Sequence, residues 1–211
     1  MKYLFFALLI LSSCGKNIEE RLKDPANDPL FYKGDYSGVF MIYEDELKTG
    51  GGMMFYASPD NQELDFFYSD DGNKVIRYYW NGGEVFDYNS ESYQHNWCGF
   101  GLIVGHSWEE AEEVSMDFSG IGYSKLKFKV KGYLSQNTVL KIEGPKKAGS
   151  SEVADYIELD SSDISYSWKE FSLPISSSSL KDFNIYVGII FEATEKGSGG
   201  EVFIDSLRFE R

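Results

Sequence analysis

The strictest pattern in this chain is the alternation of lysine and apolar residues over positions 125–131. Leu126, Phe128 and Val130 occupy every second position, and a lysine stands at each of the others. Successive side chains of a β-strand point to opposite faces, so this period of two predicts a strand with one face in a hydrophobic core and the other in water.

Eleven other segments have strand-like composition and are separated by turn residues. They are residues 38–44, 53–57, 63–68, 74–80, 84–88, 97–104, 138–143, 156–159, 168–173, 184–191 and 201–209. Asp-Gly at positions 71–72 is typical of a tight hairpin turn, and the apolar run 97–104 predicts a central strand buried on both faces. The set predicts an all-β fold, an antiparallel β-sandwich. An immunoglobulin-like sandwich usually takes about 100 residues, so the length of residues 35–211 favours a jelly roll in a single domain.

The N-terminus has the composition of an export signal. Lys2 is followed by an apolar run over 3–11, which is shorter than the roughly 20 residues that span a bilayer. Residues 11–14, Leu-Ser-Ser-Cys, resemble the lipobox of bacterial lipoproteins. The resemblance implies that residues 1–13 are removed as a signal peptide and that Cys14 is acylated, with palmitate as one expected chain. Residues 14–34 are then a polar tether, and the protein is expected at the bacterial cell envelope, lipid-anchored to the outer membrane or cell surface. An ordinary signal with a chance cysteine is the alternative.

Charge and cysteine content limit the partners. The formal net charge is -14, which repels nucleic acid and anionic lipid headgroups. We therefore expect no nucleic-acid partner, membrane contact through the lipid anchor only, and a monomer. Cys98 lies in the apolar run 97–104, which predicts a buried, unreactive thiol.

The C-terminal half resembles a known family. The segments 117–119, 123–132, 140–143, 168–175, 185–191 and 202–209 carry the likeness. They resemble the galactose-binding-like jelly roll of carbohydrate-binding modules such as family 11. The likeness covers about residues 115–211 well and residues 35–114 in outline. It implies non-catalytic binding of a glycan or polysaccharide, with aromatic rings as stacking platforms.

The resemblance also suggests where a ligand would bind. Trp80, which precedes a turn, and Trp108, which lies in an acidic loop, are predicted as exposed platforms. Tyr79, Tyr93 and Arg77 are predicted to contact sugar hydroxyls. The other two tryptophans, Trp97 and Trp168, are predicted to be core residues, the latter at the family's structural tryptophan position.

A structural Ca²⁺ is a further implication of the family. Its predicted ligands are Asp205 in the last strand and Glu44 and Asp45 near the first, since Ca²⁺ prefers carboxylate and carbonyl oxygens. A solvated acidic turn is the alternative for the last two residues.

Two other classes of function remain open at this point. The same sandwich could serve a structural or protein-interaction lipoprotein of the envelope, or a jelly-roll glycoside hydrolase or lyase. Glycoside hydrolases use a pair of carboxylates. The acidic residues Glu152, Asp155 and Glu158 do not alternate along one strand face, so an enzyme is not expected.

Overall fold

The computed structural model describes residues 38–47, 51–70, 72–105, 107, 111, 115–147, 150 and 154–211. The predictions for the signal peptide, Cys14 and the tether lie outside these residues. The described strands are β1 (Val39–Glu44), β2 (Glu46–Leu47), β3 (Gly51–Phe55), β4 (Gln62–Asp70), β5 (Asn73–Trp80), β6 (Val85–Asp87), β7 (Ser92–Gln94), β8 (Trp97–Val104), β9 (Lys125–Leu134), β10 (Thr138–Glu143), β11 (Tyr156–Leu159), β12 (Lys169–Pro174), β13 (Ile185–Ala193) and β14 (Gly200–Glu210). Over the described ranges, no helix has the length and apolar character needed to cross a membrane.

Seven strands form the first sheet, here called sheet A. β12, β9 and β14 lie side by side and antiparallel. The far edge of β14 is shared, because residues 200–204 pair with β5 and residues 207–210 pair with β1. The register shifts between Asp205 and Arg208, where Ser206 has a positive φ of 55°. This bulge divides the strand between its two partners. β4 and β2 extend the sheet beyond β5 and β1.

Five strands form the second sheet, sheet B, in the antiparallel order β11-β10-β13-β8-β3. β8 and β13 are buried along nearly their whole length, so both of their faces are covered. β6 and β7 form a separate two-stranded sheet.

The hydrophobic core lies between sheets A and B and is rich in aromatic rings. Leu126, Phe128 and Val130 of β9 are buried as the alternation predicted. Tyr78 of sheet A stacks on Phe191 of sheet B with ring centroids 4.7 Å apart. Such ring pairs contribute about 0.5–1.5 kcal/mol beyond the area they bury.

The prediction of an all-β antiparallel jelly-roll sandwich is confirmed. The bounds of β8, β10 and β11 agree with the predicted segments to the residue. The predicted segments do not include β2 and β7, which are two and three residues long. Cys98 is a buried free thiol, and burial raises its pKa well above the usual value, as expected for an unreactive cysteine.

Candidate functional site

A cleft of about 500 Å³ opens at one end of the outward face of sheet B. Its lining is Asn96, Trp97, Gln136, Asn137, Val139, Glu192, Ala193 and Thr194. Strand register explains the assembly, because Glu192 of β13 pairs with Trp97 of β8 on one side and with Val139 of β10 on the other. The turn between β9 and β10 adds the two carboxamides of Gln136 and Asn137. We call this site the Trp97 cleft.

The main chain beneath the cleft is held by a dense set of hydrogen bonds. The Oε1 atom of Gln94 accepts from the backbone N–H groups of Asn96, at 2.8 Å, and Trp97, at 3.0 Å, and its Nε2 donates to the Trp97 carbonyl. The Asn96 carbonyl accepts from the N–H of Ala193 at 2.7 Å. These bonds fix the position of the tryptophan before any ligand arrives.

The Trp97 ring is half-buried and packs against the core, so one part of it remains at the surface of the cleft. On the opposite rim, the Asn137 carbonyl accepts from the N–H of Thr194 at 3.0 Å, and its Nδ2 donates to Glu195 at 2.7 Å. An aromatic surface with a few well-placed polar groups is the usual composition of a small-ligand site.

Four charged groups on the outward face of sheet B, beside the cleft, form ion pairs with one another. Lys141 Nζ lies 3.3 Å from Glu192 Oε1 and 3.5 Å from Glu143 Oε1, and Lys146 Nζ lies 2.6 Å from Glu143 Oε2. Burial disfavours the ammonium form of Lys141, but the two carboxylates outweigh burial and raise its pKa. Two carboxylates and two ammonium groups thus make a locally neutral network.

Glycines let the Tyr56 side chain approach the strands closely in the middle of this same face. A Cβ atom on Gly101 would lie 2.5 Å from the Tyr56 hydroxyl oxygen, and one on Gly188 would lie 3.2 Å from it. The hydroxyl is buried and has no hydrogen-bond partner among the described residues. Burial, reinforced by the charge of Glu143, raises the pKa of Tyr56 well above its usual value.

Trp80 is not the exposed platform that was predicted. It is fully buried, its indole N–H donates to the Gly83 carbonyl at 3.1 Å, and its ring stacks near Phe191. The physical reason is alternation, because Ile76 and Tyr78 share its face of β5 and all three point into the core.

Trp168 is also placed differently from its prediction. It is 36% exposed rather than a core residue, and Lys131 Nζ lies 5.0 Å from its ring centroid. It stands immediately before β12, at the outward face of sheet A. Trp97, predicted as core, both packs on the core and lines the cleft.

The remaining predicted ligand residues do not meet at one site. Arg77 and Tyr79 lie together on the outward side of β5, with the guanidinium carbon 5.8 Å from the tyrosine ring centroid. Tyr93 lies on β7, exposed and 5.4 Å from the Phe86 ring. Trp108 lies outside the described residues.

The three predicted calcium ligands are not gathered into a ligand set. No group of three or more His, Cys, Asp or Glu able to hold a metal occurs among the residues that the structure describes. Asp45 Oδ1 accepts from the backbone N–H of Lys74 at 3.1 Å, and Asp205 accepts from the Ser206 hydroxyl. Glu44 is exposed at the end of β1. The three side chains alone do not fit a Ca²⁺ site, and calcium binding stays a prediction.

Solved structures share this fold. An exo-1,3/1,4-β-glucanase from a Pseudoalteromonas species matches 87% of this chain over 22% of its own, at 8% identity and a TM-score of 0.53. A family 11 carbohydrate-binding module from Clostridium thermocellum, in complex with a β-1,3-1,4-mixed-linked tetrasaccharide, matches 82% of this chain over 95% of its own, at 16% identity and a TM-score of 0.47. A family 30 carbohydrate-binding module matches 81% over 97%, at 12% identity and 0.49.

The sequence itself matches no family model and no curated protein. At these identities the likeness to the solved structures concerns the fold alone. The ligand must therefore be argued from the residues of the Trp97 cleft.

Proposed function

We propose that this protein binds a neutral glycan non-catalytically in the Trp97 cleft, while a lipid on Cys14 holds it at the bacterial cell envelope. The observation that carries the proposal is the composition of the cleft. An indole ring, three carboxamides and one carboxylate line a space of about 500 Å³. No single one of these groups identifies a sugar site, but together they match the apolar face and the hydroxyl groups of a sugar.

A pyranose ring has an apolar face of C–H groups and a rim of hydroxyls. The exposed part of Trp97 offers a flat apolar surface to the C–H face of the sugar. The carboxamides that face the sugar hydroxyls are those of Asn96, Gln136 and Asn137. Each carboxamide can donate and accept hydrogen bonds, as a hydroxyl does. Because the backbone of the cleft is already fixed by hydrogen bonds, little ordering cost remains to be met on binding.

The electrostatics support a neutral ligand. Glu192 is paired with Lys141, so the cleft offers no free cation among the described residues to an acidic sugar. The net charge of -14 further repels polyanions.

The same lining supports capture rather than hydrolysis. Glycoside hydrolases place two carboxyl groups on either side of the scissile bond. Among the described residues that line the cleft, Glu192 is the one carboxylate. We therefore propose binding without cleavage.

Titration of the folded protein with neutral oligosaccharides tests the proposal. Trp97→Ala is expected to weaken binding at least about tenfold, which corresponds to about 1.4 kcal/mol of lost contact. Tyr88→Ala is the control for loss of an aromatic ring away from the cleft, because Tyr88 is exposed and lies on the turn between β6 and β7. Unchanged affinity in Trp97→Ala, or absence of binding by the wild type at millimolar sugar, would contradict the proposal. The second result would favour the alternative of a protein-interaction lipoprotein.

The anchor is tested separately on the full chain expressed in a bacterium. Intact mass spectrometry should show loss of residues 1–13 and added acyl mass on Cys14. Cys14→Ser should abolish the added acyl mass and lower the share of the protein in the membrane fraction, because each buried acyl CH₂ group contributes about 0.8 kcal/mol to membrane binding. A processed but unacylated wild type would support the ordinary-signal alternative.

A further inference from the structure

Three aromatic rings share one face of the β6–β7 hairpin, and none of them lines the Trp97 cleft. They belong to Phe86, to Tyr88 two residues further on, and to Tyr93, which pairs with Phe86 across the hairpin. We propose that these rings, here called the aromatic corner, bind the methylated ammonium group of a small soluble organic cation. The ligand is of a different class from a neutral glycan, so the inference does not rest on the proposed function.

Alternation along β6 determines which side chains face the solvent. Val85 and Asp87 are buried, whereas Phe86 between them points to the opposite face and is half-buried. Tyr88 and Tyr93 are 51% and 67% exposed. The inner side of the hairpin therefore belongs to the protein interior, and the rings on its outer side are accessible to a ligand.

The rings of the aromatic corner are steeply inclined to one another. The Phe86 ring centroid lies 5.4 Å from that of Tyr93 and 6.0 Å from that of Tyr88, and the ring planes differ by 71° and 70°. A sugar stacks its flat C–H face on one ring plane, which inclined neighbours do not extend. A tetrahedral methylated ammonium group presents methyl groups in several directions, so it can contact inclined rings at the same time.

The electronic character of the rings favours a cation. The face of each ring carries partial negative charge and attracts a cation within about 6 Å of the ring centroid. The centroid separations in the corner are no larger than this range, so neighbouring rings act on the same ligand. A bare ammonium group is strongly hydrated, and methyl groups keep water from the charge. A methylated cation therefore loses less hydration on entering an apolar corner.

The charges around the hairpin act in the same direction. Residues 84–95 include three carboxylates and no lysine or arginine. Glu84 is paired with Lys196 at 2.9 Å, and the exposed Glu91 lies in the turn that joins Tyr88 to β7. The net charge of the whole chain is -14. The electrostatic field at the corner thus favours a positively charged ligand over an anionic one.

The backbone that carries the rings is held by hydrogen bonds. The N–H of Ser58 donates to the Phe86 carbonyl at 2.7 Å, and the N–H of Phe86 donates to Ser58 Oγ at 2.9 Å. In the turn, the Asp87 carboxylate accepts from the N–H of Asn89 at 2.9 Å and from the Ser90 hydroxyl at 2.7 Å. The hairpin is therefore ordered without a ligand, which lowers the entropy cost of binding.

Isothermal titration of the full chain with choline tests the aromatic corner. The matched ligand is the neutral analogue of choline in which a carbon atom replaces the nitrogen, because it has the same shape without the charge. We expect choline to bind at least about fivefold more tightly than this analogue, since only choline gains the cation–π attraction. Phosphocholine, the headgroup of a choline lipid, tests the other source of the same group and should bind more weakly than choline.

Variants of the hairpin locate the site. Tyr93→Ala should weaken choline binding about threefold to tenfold, whereas Tyr93→Phe keeps the ring and should stay within about twofold of the wild type. Tyr88→Ala should also weaken choline binding, although it serves as the control for glycan binding. Tyr166→Ala is the matched control here, because it removes a tyrosine that is 74% exposed outside the corner. The thermal midpoint of Tyr93→Ala should stay within about 2 °C of the wild type.

Three results would overturn the aromatic corner and leave the proposed glycan function intact. They are equal affinity for choline and its neutral analogue, unchanged choline affinity in Tyr93→Ala, and no binding by the wild type at millimolar choline. Tighter binding of phosphocholine than of choline would overturn the assignment to a soluble cation in favour of a lipid headgroup. Loss of neutral oligosaccharide binding in Tyr93→Ala would overturn the corner as well, because the hairpin would then belong to a glycan surface. Failure of the wild type to bind any sugar, with choline binding retained, would contradict the proposed function alone.

Discussion

The outward faces of the two sheets differ in how far they are covered by other parts of the chain. On sheet B, small residues such as Gly101 and Gly188 let Tyr56 and the Glu143 ion pairs close down on the strands, so β8 and β13 are buried on both sides. On sheet A, long lysines, arginines and aromatic rings stand out from the strands and remain partly exposed. The size of the side chains at alternate positions thus decides whether a face is closed, with a cleft at its end, or open to water.

The largest expected difference in unfolding free energy is between replacing a tryptophan inside the sandwich and replacing one on its outer surface. Trp80→Ala removes a fully buried ring and should lower the free energy of unfolding by about 3–5 kcal/mol. Trp168→Ala removes a partly exposed ring and should cost less than about 1 kcal/mol. Urea unfolding followed by circular dichroism measures both. Similar losses for the two variants would contradict the assignment of inner and outer faces.

Ion pairs on the outward faces of the two sheets should also differ in how much they contribute to stability. Glu143 on sheet B is buried with two lysines, and Glu143→Gln should cost about 2–3 kcal/mol, somewhat less than for a fully buried pair because both lysines partly reach water. Glu170 on sheet A makes the same kind of contact, at 2.8 Å to Arg208, but is 43% exposed. Glu170→Gln should therefore cost less than about 1 kcal/mol in the same urea assay. Equal losses would show that sheet B is not closed as described.

The architecture could be predicted from the sequence because alternation is local. The lysine pattern of 125–131 places three apolar residues in the core without knowledge of any other strand. The same rule, applied to Ile76, Tyr78 and Trp80, places the tryptophan inside. Trp80 was predicted to be exposed because it precedes a turn. Its alternation with Ile76 and Tyr78 along β5 places it in the core instead.

The Trp97 cleft could not be predicted in the same way. It depends on the pairing of Trp97 with Glu192 and of Glu192 with Val139, and these residues are far apart in the sequence. Register across a sheet is set by the whole fold rather than by either strand. For the same reason, the sequence predicted ligand contacts for Arg77 and Tyr79 but did not show that Tyr133 and Trp168 share their face of sheet A.

Alkaline pH should destabilise the fold through buried tyrosines on both sheets. Burial raises the pKa of Tyr43, Tyr56 and Tyr78, whereas an unfolded tyrosine loses its proton near about pH 10. Above that pH the unfolded state binds fewer protons than the folded state, so the free energy of unfolding falls by about 1.4 kcal/mol per pH unit for each such group. Urea midpoints from pH 9 to 11 measure the slope. Tyr56→Phe should reduce it by one group's share, and an unchanged slope would mean that water reaches this hydroxyl.

The smallest expected change in stability is a gain, and it follows removal of the Tyr56 hydroxyl on the outward face of sheet B. The Tyr56 Oη atom is buried without a hydrogen-bond partner among the described residues, and an unpaired buried hydroxyl is unfavourable. Tyr56→Phe keeps the ring over Gly101 and removes the hydroxyl, so stability at pH 7 should rise by about 1 kcal/mol or stay unchanged. Tyr78→Phe is the matched comparison, because that hydroxyl donates to Gln62 at 2.8 Å and its loss should destabilise the protein by about 1 kcal/mol. A loss of stability in Tyr56→Phe comparable to that in Tyr78→Phe would show that the hydroxyl has a partner, and that the outward face of sheet B is closed by a polar contact rather than by packing on glycine.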